Sequence, residues 1–208
     1  MKLSPDQMAR RFDGQASSYD DAEAFWRRAA GRVVVAAANP SEGDVILDLG
    51  CGTGEVSVVL ARRAKKLIGI DISPAMLEIA SQRVKSEGVD NIELRTGDFS
   101  TLPDLSGISL VVSNYAIHHL SLDEKTHLFR QIFALLPEKG LFVMGDVMWS
   151  MDLDQIDEPE QFFNPEIDDP SMVDELVEAL EECGFRTEVL RLSPGVGVIE
   201  AWKQPQRA

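Results

Sequence analysis

The 208-residue chain is 44% hydrophobic and 26% charged, the balance of one globular domain long enough to bury a full core. Its 35 acids outnumber its 20 Lys and Arg, and no basic stripe of the kind that grips nucleic acid is present, so a nucleic-acid partner is not expected. No apolar run is long enough to span a bilayer and no apolar signal core opens the chain, so the expected location is the cytoplasm, without membrane insertion.

In chain order, Ser4-Pro5 is a helix start, an N-cap followed by proline at the first helical position. That helix is expected to run to about Phe12, with Gly14 ending it. The stretch Phe12-Asp-Gly-Gln-Ala-Ser-Ser-Tyr-Asp20 follows, and then a second helix over roughly 21–38, which carries Phe25 and Trp26 and stops at Asn39-Pro40. Both helices precede the first strand, so both are expected outside the core fold. They serve either as a cover over a ligand or as a pair capping the sheet edge.

The apolar run from Val45 to Leu49 reads as a buried strand. It breaks into Gly50, Gly52 and Gly54, and an amphipathic helix over 55–63 follows. Glycines suit a turn that takes unusual dihedrals or lets a ligand approach the main chain. The helix N-terminus behind them offers free N–H groups and a positive dipole end. A dinucleotide fingerprint needs G-x-G-x-x-G; here the third glycine comes one residue early and Glu55 stands in its place. A Walker P-loop is excluded, because no Gly-Lys-Ser/Thr follows. What remains is Asp48-x-Gly-x-Gly-x-Gly, with Cys51 inside it; Cys51 and Cys183 form neither a disulfide nor a metal-ligand spacing, and no metal site is assigned.

Leu67-Ile-Gly-Ile-Asp71 is a second strand ending in an acid, where a ribose can offer two hydroxyls to one carboxylate. Ile72 can pack on an adenine face, and Ser73-Pro74 starts the next helix with Met76, Leu77 and Ala80 on its inner side. A third strand over 91–95 is followed by Gly97-Asp98-Phe99, an acid and an aromatic suited to an adenine edge. The fourth strand, Leu110-Val-Val-Ser-Asn114, runs into Tyr115-Ala-Ile-His-His119 and so places polar and aromatic groups at the carboxyl edge of the sheet, where open α/β sheets bind ligands. A helix over about 123–136, a fifth strand over 141–147, a helix over 171–183 and a final hairpin around Ser193-Pro-Gly195 complete the pattern.

In this order the four motifs resemble those of class I S-adenosylmethionine-dependent methyltransferases over nearly the whole chain. The resemblance implies an α/β, three-layer Rossmann-like fold: a seven-stranded, mostly parallel sheet with an antiparallel last strand and an N-terminal helical lid. The division it implies is a lid over 1–40, a cofactor-binding core over 41–147, an acidic irregular insertion over 148–170, and the last helix and hairpin over 171–208. It further implies S-adenosyl-L-methionine as cofactor and S-adenosyl-L-homocysteine as product. Asp48 and the turn Gly50, Cys51, Gly52 and Gly54 would hold the methionine moiety. Asp71 would take the ribose, with Ile72, Asp98 and Phe99 at the adenine and Asn114 beside the sulfonium; Met76 and Tyr115 would complete the cofactor site. The pattern Phe12-Asp-x-x-Ala-x-x-Tyr19-Asp20 is similar to that of the small-molecule branch, the quinone-ring and malonyl-carrier methyltransferases, in which a lid helix brings a Tyr over the cofactor. Two departures stand out: Ser109 replaces an acid frequent near the start of the fourth strand, and Ser113-Asn-Tyr-Ala replaces the Asn/Asp-Pro-Pro-Tyr of enzymes that methylate nucleobase amines.

Methyl transfer asks the protein mainly for in-line alignment and exclusion of water, with a base only where the nucleophile must lose a proton. His119, with Tyr19 as a polar partner from the lid, is the candidate catalytic group; both His118 and His119 are alternatively packing residues of the turn, and His127 is expected at the surface. Between Gly140 and Phe185 lie 14 acids and no Lys or Arg. This segment either frames the acceptor pocket and favours a cationic or amine-bearing small molecule, even with a divalent ion as in catechol-type methyltransferases, or is a solvated loop and helix face; charge runs in general favour the second. Methyl transfer to a small molecule leads. The alternatives are a protein or tRNA methyltransferase and a cofactor-binding module without turnover.

Overall fold

The computed structural model describes residues 3–21, 25–99, 102 and 105–204. Helix α1 spans Pro5–Gln15, and Ser4 closes a capping box with Gln7 while Pro5 occupies the first turn. It passes Gly14, around which a Cβ would meet nothing within 4 Å, so no steric demand ends the helix there. A short 3₁₀ turn, Ala16–Ser18, leads toward α2, Phe25–Ala38. Then come β1 (Val45–Leu49), α3 (Glu55–Ala61), β2 (Lys66–Asp71), α4 (Pro74–Ser86), β3 (Ile92–Thr96) and β4 (Leu110–Asn114). A 3₁₀ turn at Ile117–His119 precedes α5 (Leu122–Leu135), β5 (Leu141–Val147), α6 (Val173–Glu182), β6 (Phe185–Ser193) and β7 (Val196–Lys203).

The seven strands form one sheet in the order β3-β2-β1-β4-β5-β7-β6. β1 to β5 run parallel, and β7 enters antiparallel between β5 and β6. The expected fold is the observed one. Strand order reverses between β1 and β4, and the crevice at such a switch point is where doubly wound sheets take ligands. Both Gly50 and Asn114 stand at that edge, since Leu49 pairs in register with Ser113.

Alternate residues of the strands feed two cores. One sheet face packs Leu47, Ile70, Val111 and Phe142 against Leu128 and Phe129 of α5 and Leu176 and Leu180 of α6. The other packs Ile46, Leu67, Val112 and Val143 against Val34 and Ala38 of α2 and Leu60 of α3. Helix α2 is therefore a layer of the sandwich, with Ala30 and Val34 fully buried, rather than an element outside the core. Its apolar face was built for the sheet. Helix α1 differs: it has no buried residue at all.

The acidic segment after β5 packs down in part. Trp149, Ile156, Phe162 and Phe163 form a third apolar cluster, and the Phe162 ring lies so close to the hairpin tip that a Cβ on Gly195 would come within 2.7 Å of it. Most of its acids, and the acidic face of α6, point to solvent. No described helix is long and apolar enough to cross a membrane.

Candidate active site

The glycine turn leaves β1 with Gly50, Gly52 and Gly54 all at positive φ. Gly50 is sterically required, because a Cβ there would stand 2.3 Å from the Ala116 Cβ. At Gly52 a Cβ would meet nothing, as that position opens onto the cavity described below. The expected cradle thus has one glycine for close packing and one for ligand access. Gly54 lines neither pocket described below; it is the N-cap of α3, where an added Cβ would stand 3.2 Å from the Ala80 side chain, and so lets α3 approach α4.

A cavity of about 490 Å³ lies over this edge. Its floor and walls hold Gly50, Gly52, Asp71, Ile72, Met76, Asp98, Phe99, Tyr115 and His119, and Tyr19 closes it from the lid side. A second pocket of about 40 Å³ adjoins it, lined by Asp48, Cys51 and Asn114 and sharing Tyr19, Gly50 and Gly52 with the first. Every residue assigned to the cofactor or to catalysis, apart from Gly54 and the alternative His118, meets one or both spaces. Leu3, Met8 and Phe12 of the α1 region form an apolar roof over the larger one.

Asp71 is held rigidly: Oδ2 accepts from the Gly52 N–H at 2.8 Å and Oδ1 from the Ser73 N–H at 2.9 Å. Burial pushes its pKa up, opposed by these donors, and each oxygen keeps a second lone pair for a ligand hydroxyl. Asp48 is 2% exposed and accepts from the Ser57 hydroxyl at 2.5 Å. Burial, reinforced by the Asp71 charge, pushes it up to about 7 against the pull of that hydrogen bond. The Cys51 thiol is also pushed up by burial, against Gly69. Asn114 donates to the Arg27 carbonyl at 3.3 Å while its Oδ1 is buried without a partner. Tyr115 takes a left-handed conformation, φ 57°, and its buried hydroxyl also lacks a partner among the described residues. A non-glycine residue held there marks strain at a ligand edge. Orphaned polar atoms beside a glycine cradle are what a polar ligand with an adenosine end and an amino-acid end would satisfy.

The lid motif resolves into two roles seven residues apart. Phe12 and Tyr19 face the cavity, and the Arg27 guanidinium lies 4.0 Å over the Tyr19 ring. Asp13 and Asp20 pin the lid down. Asp13 accepts from the Ser73 hydroxyl at 2.6 Å and the Ala75 N–H at 3.1 Å, and Asp20 accepts from Thr53 at 2.8 Å and Arg83 at 2.5 Å. Asp20→Ala is therefore expected to weaken cofactor binding about tenfold, the effect of losing one charge-assisted hydrogen bond. Isothermal titration against wild type checks this; unchanged affinity would show that the pin does not serve the ligand.

His119 and His118 diverge. His119 lines the cavity, edge-on to Phe12 at 5.4 Å between centroids, whereas His118 turns inward. The His118 Nδ1 lies 2.5 Å from Asp146 Oδ1, and Asp146 also accepts from the backbone N–H groups of Ile117, His118 and Val147. Burial disfavours charge on His118, but Asp146 and Asp168 outweigh it and raise its pKa; burial and the neighbouring His118 lower that of His119. His119 Nδ1 stands 2.7 Å from Asp168 Oδ1, a contact that pulls its pKa the other way without overcoming burial. His127 lies exposed at the cavity rim.

Asp146 and Asp168 were not singled out by sequence. Asp146 carried a usable signal, a carboxylate at the end of an inner strand; Asp168 carried none, being one acid among many. The reading in which the acidic segment frames the acceptor pocket is corrected: none of residues 146–182 lines either pocket. It reaches the site from behind, through Asp146 and Asp168, through the Trp149 cluster packed on Tyr115, and through the Asp169 N–H donating to the His118 carbonyl at 2.7 Å.

Comparison with known proteins agrees with this geometry. Residues 46–140 match the family described as methyltransferase domain. An uncharacterized methyltransferase of Bacillus cereus is 30% identical over 176 residues, covering 80% of this chain and 80% of that protein. Another, from Oceanobacillus iheyensis, is 37% identical over 107 residues, covering 51% of this chain and 48% of the relative, so here the chain spans about half the length of the curated relative it matches. Among solved structures, a DhpI–SAH complex has a TM-score of 0.75 at 20% identity, covering 95% of this chain and 96% of that one, a likeness of fold. With that fold, that family match and the Bacillus cereus relative in hand, the chain belongs to the class I S-adenosylmethionine-dependent methyltransferases.

Proposed function

We propose that this protein transfers a methyl group from S-adenosyl-L-methionine to an O, N or C nucleophile of a small molecule held under α1. One observation carries the reading: the adenosine-side residues Asp71, Ile72, Asp98 and Phe99 share a single cavity with His119 and the apolar roof of α1. Asp48, the Gly50–Gly52 backbone and Asn114 take the methionine end in the adjoining pocket, and Asp71 takes the ribose. When bound, the cofactor supplies an electrophilic methyl group that needs little activation. The chain aligns the acceptor against it and excludes water through Phe12 and Tyr19. His119 is the imidazole that meets the acceptor from the opposite wall, with Tyr19 across from it.

The acceptor's character follows from the same walls. Asp123 and Glu124 stand at the cavity's far end, and no Lys or Arg lines it among the described residues, which favours a neutral or amine-bearing molecule over an anionic one. In this reading residues 1–208 act as one methyltransferase domain, working in the cytoplasm with its two thiols free.

Methyl-labelled cofactor added to a cell extract, separated into small-molecule and macromolecular fractions, tests the reading. Label is expected in the small molecules; label in protein or RNA would replace this function with macromolecular modification. Absence of label from both, with the cofactor bound, would favour a module without turnover. His119→Ala is expected to lower turnover about 100-fold while changing cofactor affinity little. Equal turnover would make His119 a packing residue.

A further inference from the structure

We propose that His118, His119 and Asp168 form a binding site for one divalent transition-metal ion, set behind the cavity wall, with Asp146 holding the first imidazole from outside. Ligand atoms of these three residues, one from each, all lie within 4.8 Å of one another. The side chains of His118 and Asp168 are 7% and 6% exposed, so this is not a surface cluster of acids. Three residues from two distant stretches, the turn after β4 and the acidic segment, converge on one point.

Hydrogen bonding around the cluster leaves lone pairs facing inward. Asp146 accepts from three backbone N–H groups, so it is an acceptor toward His118 and sets the ring proton on Nδ1. The Nε2 lone pair of that tautomer then faces Asp168 Oδ2 at 3.8 Å, too far for a hydrogen bond. On the other side, His119 Nδ1 and Asp168 Oδ1 approach to 2.7 Å, a direct polar contact that holds the second imidazole against the same carboxylate. The inward Nε2 lone pair of His118 and the carboxylate beside it repel unless a proton or a metal ion sits between them. Ligands about 2.1 Å from one ion are themselves roughly 3–4 Å apart, which matches the 3.8 Å separation, while the 2.7 Å pair would have to open slightly to admit the ion.

The outer surroundings fit as well. A carboxylate on the far nitrogen of a ligating imidazole orients the ring and raises its basicity. Lys125, 1% exposed, bonds the Asp169 carbonyl and the Ser171 hydroxyl at 2.8 Å and so fixes the segment that delivers Asp168. Two imidazoles and one carboxylate suit Zn²⁺, Co²⁺ or Ni²⁺ and disfavour Mg²⁺ and Ca²⁺. The ion would staple the acidic segment to the turn that carries His119, fixing the orientation of a cavity-wall residue.

The competing account is a metal-free cluster in which His118 is an imidazolium shared by Asp146 and Asp168. Co²⁺ titration of the chelator-treated full-length chain separates them. We expect visible d–d bands that saturate at one equivalent, displacement by Zn²⁺, and a raised melting temperature. Asp168→Asn should weaken Co²⁺ binding about 100-fold, and Asp146→Asn about 10- to 100-fold; Asp152→Asn, on the exposed part of the same segment, should leave it unchanged. No stoichiometric binding at about 100 μM of Co²⁺, Zn²⁺ or Ni²⁺, weak by the standard of protein zinc sites, overturns the proposal. So does binding that survives Asp168→Asn. Should His118→Ala fail to fold, the near-isosteric Asp168→Asn and the wild-type spectrum still decide. Cofactor binding, measured by calorimetry on the same metal-free chain, tests the methyl-transfer reading separately and is expected to persist.

Discussion

Gly50→Val is expected to abolish cofactor binding and to lower the melting temperature by roughly 10 °C. The added Cβ would overlap the Ala116 side chain at 2.3 Å, and φ is +72°. Left-handed backbone costs about 1–2 kcal/mol for an L residue. Overpacking adds about 1–3 kcal/mol, and in a chain of this size each kcal/mol shifts melting by about 2–4 °C. Gly52→Val should behave differently. Its Cβ meets no protein atom but projects into the cavity, so binding is lost while melting falls by only about 2–5 °C. Differential scanning fluorimetry beside titration calorimetry tests both variants. Equal thermal losses would show that the two glycines do not have separate duties, and tight binding by Gly52→Val would remove the turn from the cofactor site.

Cofactor affinity is expected to fall as pH drops below about 7, by up to about tenfold per pH unit. Burial, with a smaller contribution from Asp71, raises Asp48 from 3.8 to about 7 in the ligand-free protein. A cationic amino group arriving in the small pocket favours the ionised form, so binding below that value must release a proton, and above it need not. The sign for stability is opposite. The folded chain keeps Asp48 protonated to about 7 while the unfolded chain ionises it near 3.8, so this group makes the ligand-free fold less stable as pH rises through that window. Asp48→Asn should accordingly raise the ligand-free melting temperature at about pH 8, flatten the pH dependence and weaken binding. Calorimetry in two buffers of different ionisation heat counts the protons directly. An affinity independent of pH between about 6 and 8 would show that Asp48 does not meet the ligand's charge.

Much of the fold was legible because its signals are local. β1, β4 and β5 span the residues expected of them, and Ser4 and Ser73 each cap a helix through their own side chain. The misjudged placement was α2. Its position before the first strand suggested a cover, but its alternation of small and branched residues packs on β4 and β5, a long-range fact no local pattern carries. The cofactor edge was legible for a similar reason, since Asp48, the glycine turn, Asp71, Asp98 and Asn114 all lie at or just beyond a strand end. The cluster behind His119 was not. Asp146 is 28 residues from His118 and Asp168 is 49 from His119, and nothing in an acid-rich stretch distinguishes the one carboxylate that turns inward. The lid acids show the intermediate case. The motif containing Asp13 and Asp20 was visible, whereas their anchoring on α4 and the glycine turn required coordinates.

Helix α1, lacking any buried side chain of its own and pinned near its end through Asp13, gains further stability from whatever fills the chamber beneath it. Its backbone amides should therefore exchange with solvent deuterium quickly in the ligand-free protein and slow in steps, first with cofactor and again with an acceptor. Amide exchange over residues 5–15 thus becomes a gauge of occupancy that needs no turnover. A panel of candidate molecules can be ranked by that protection alone, before the transferred group is ever detected.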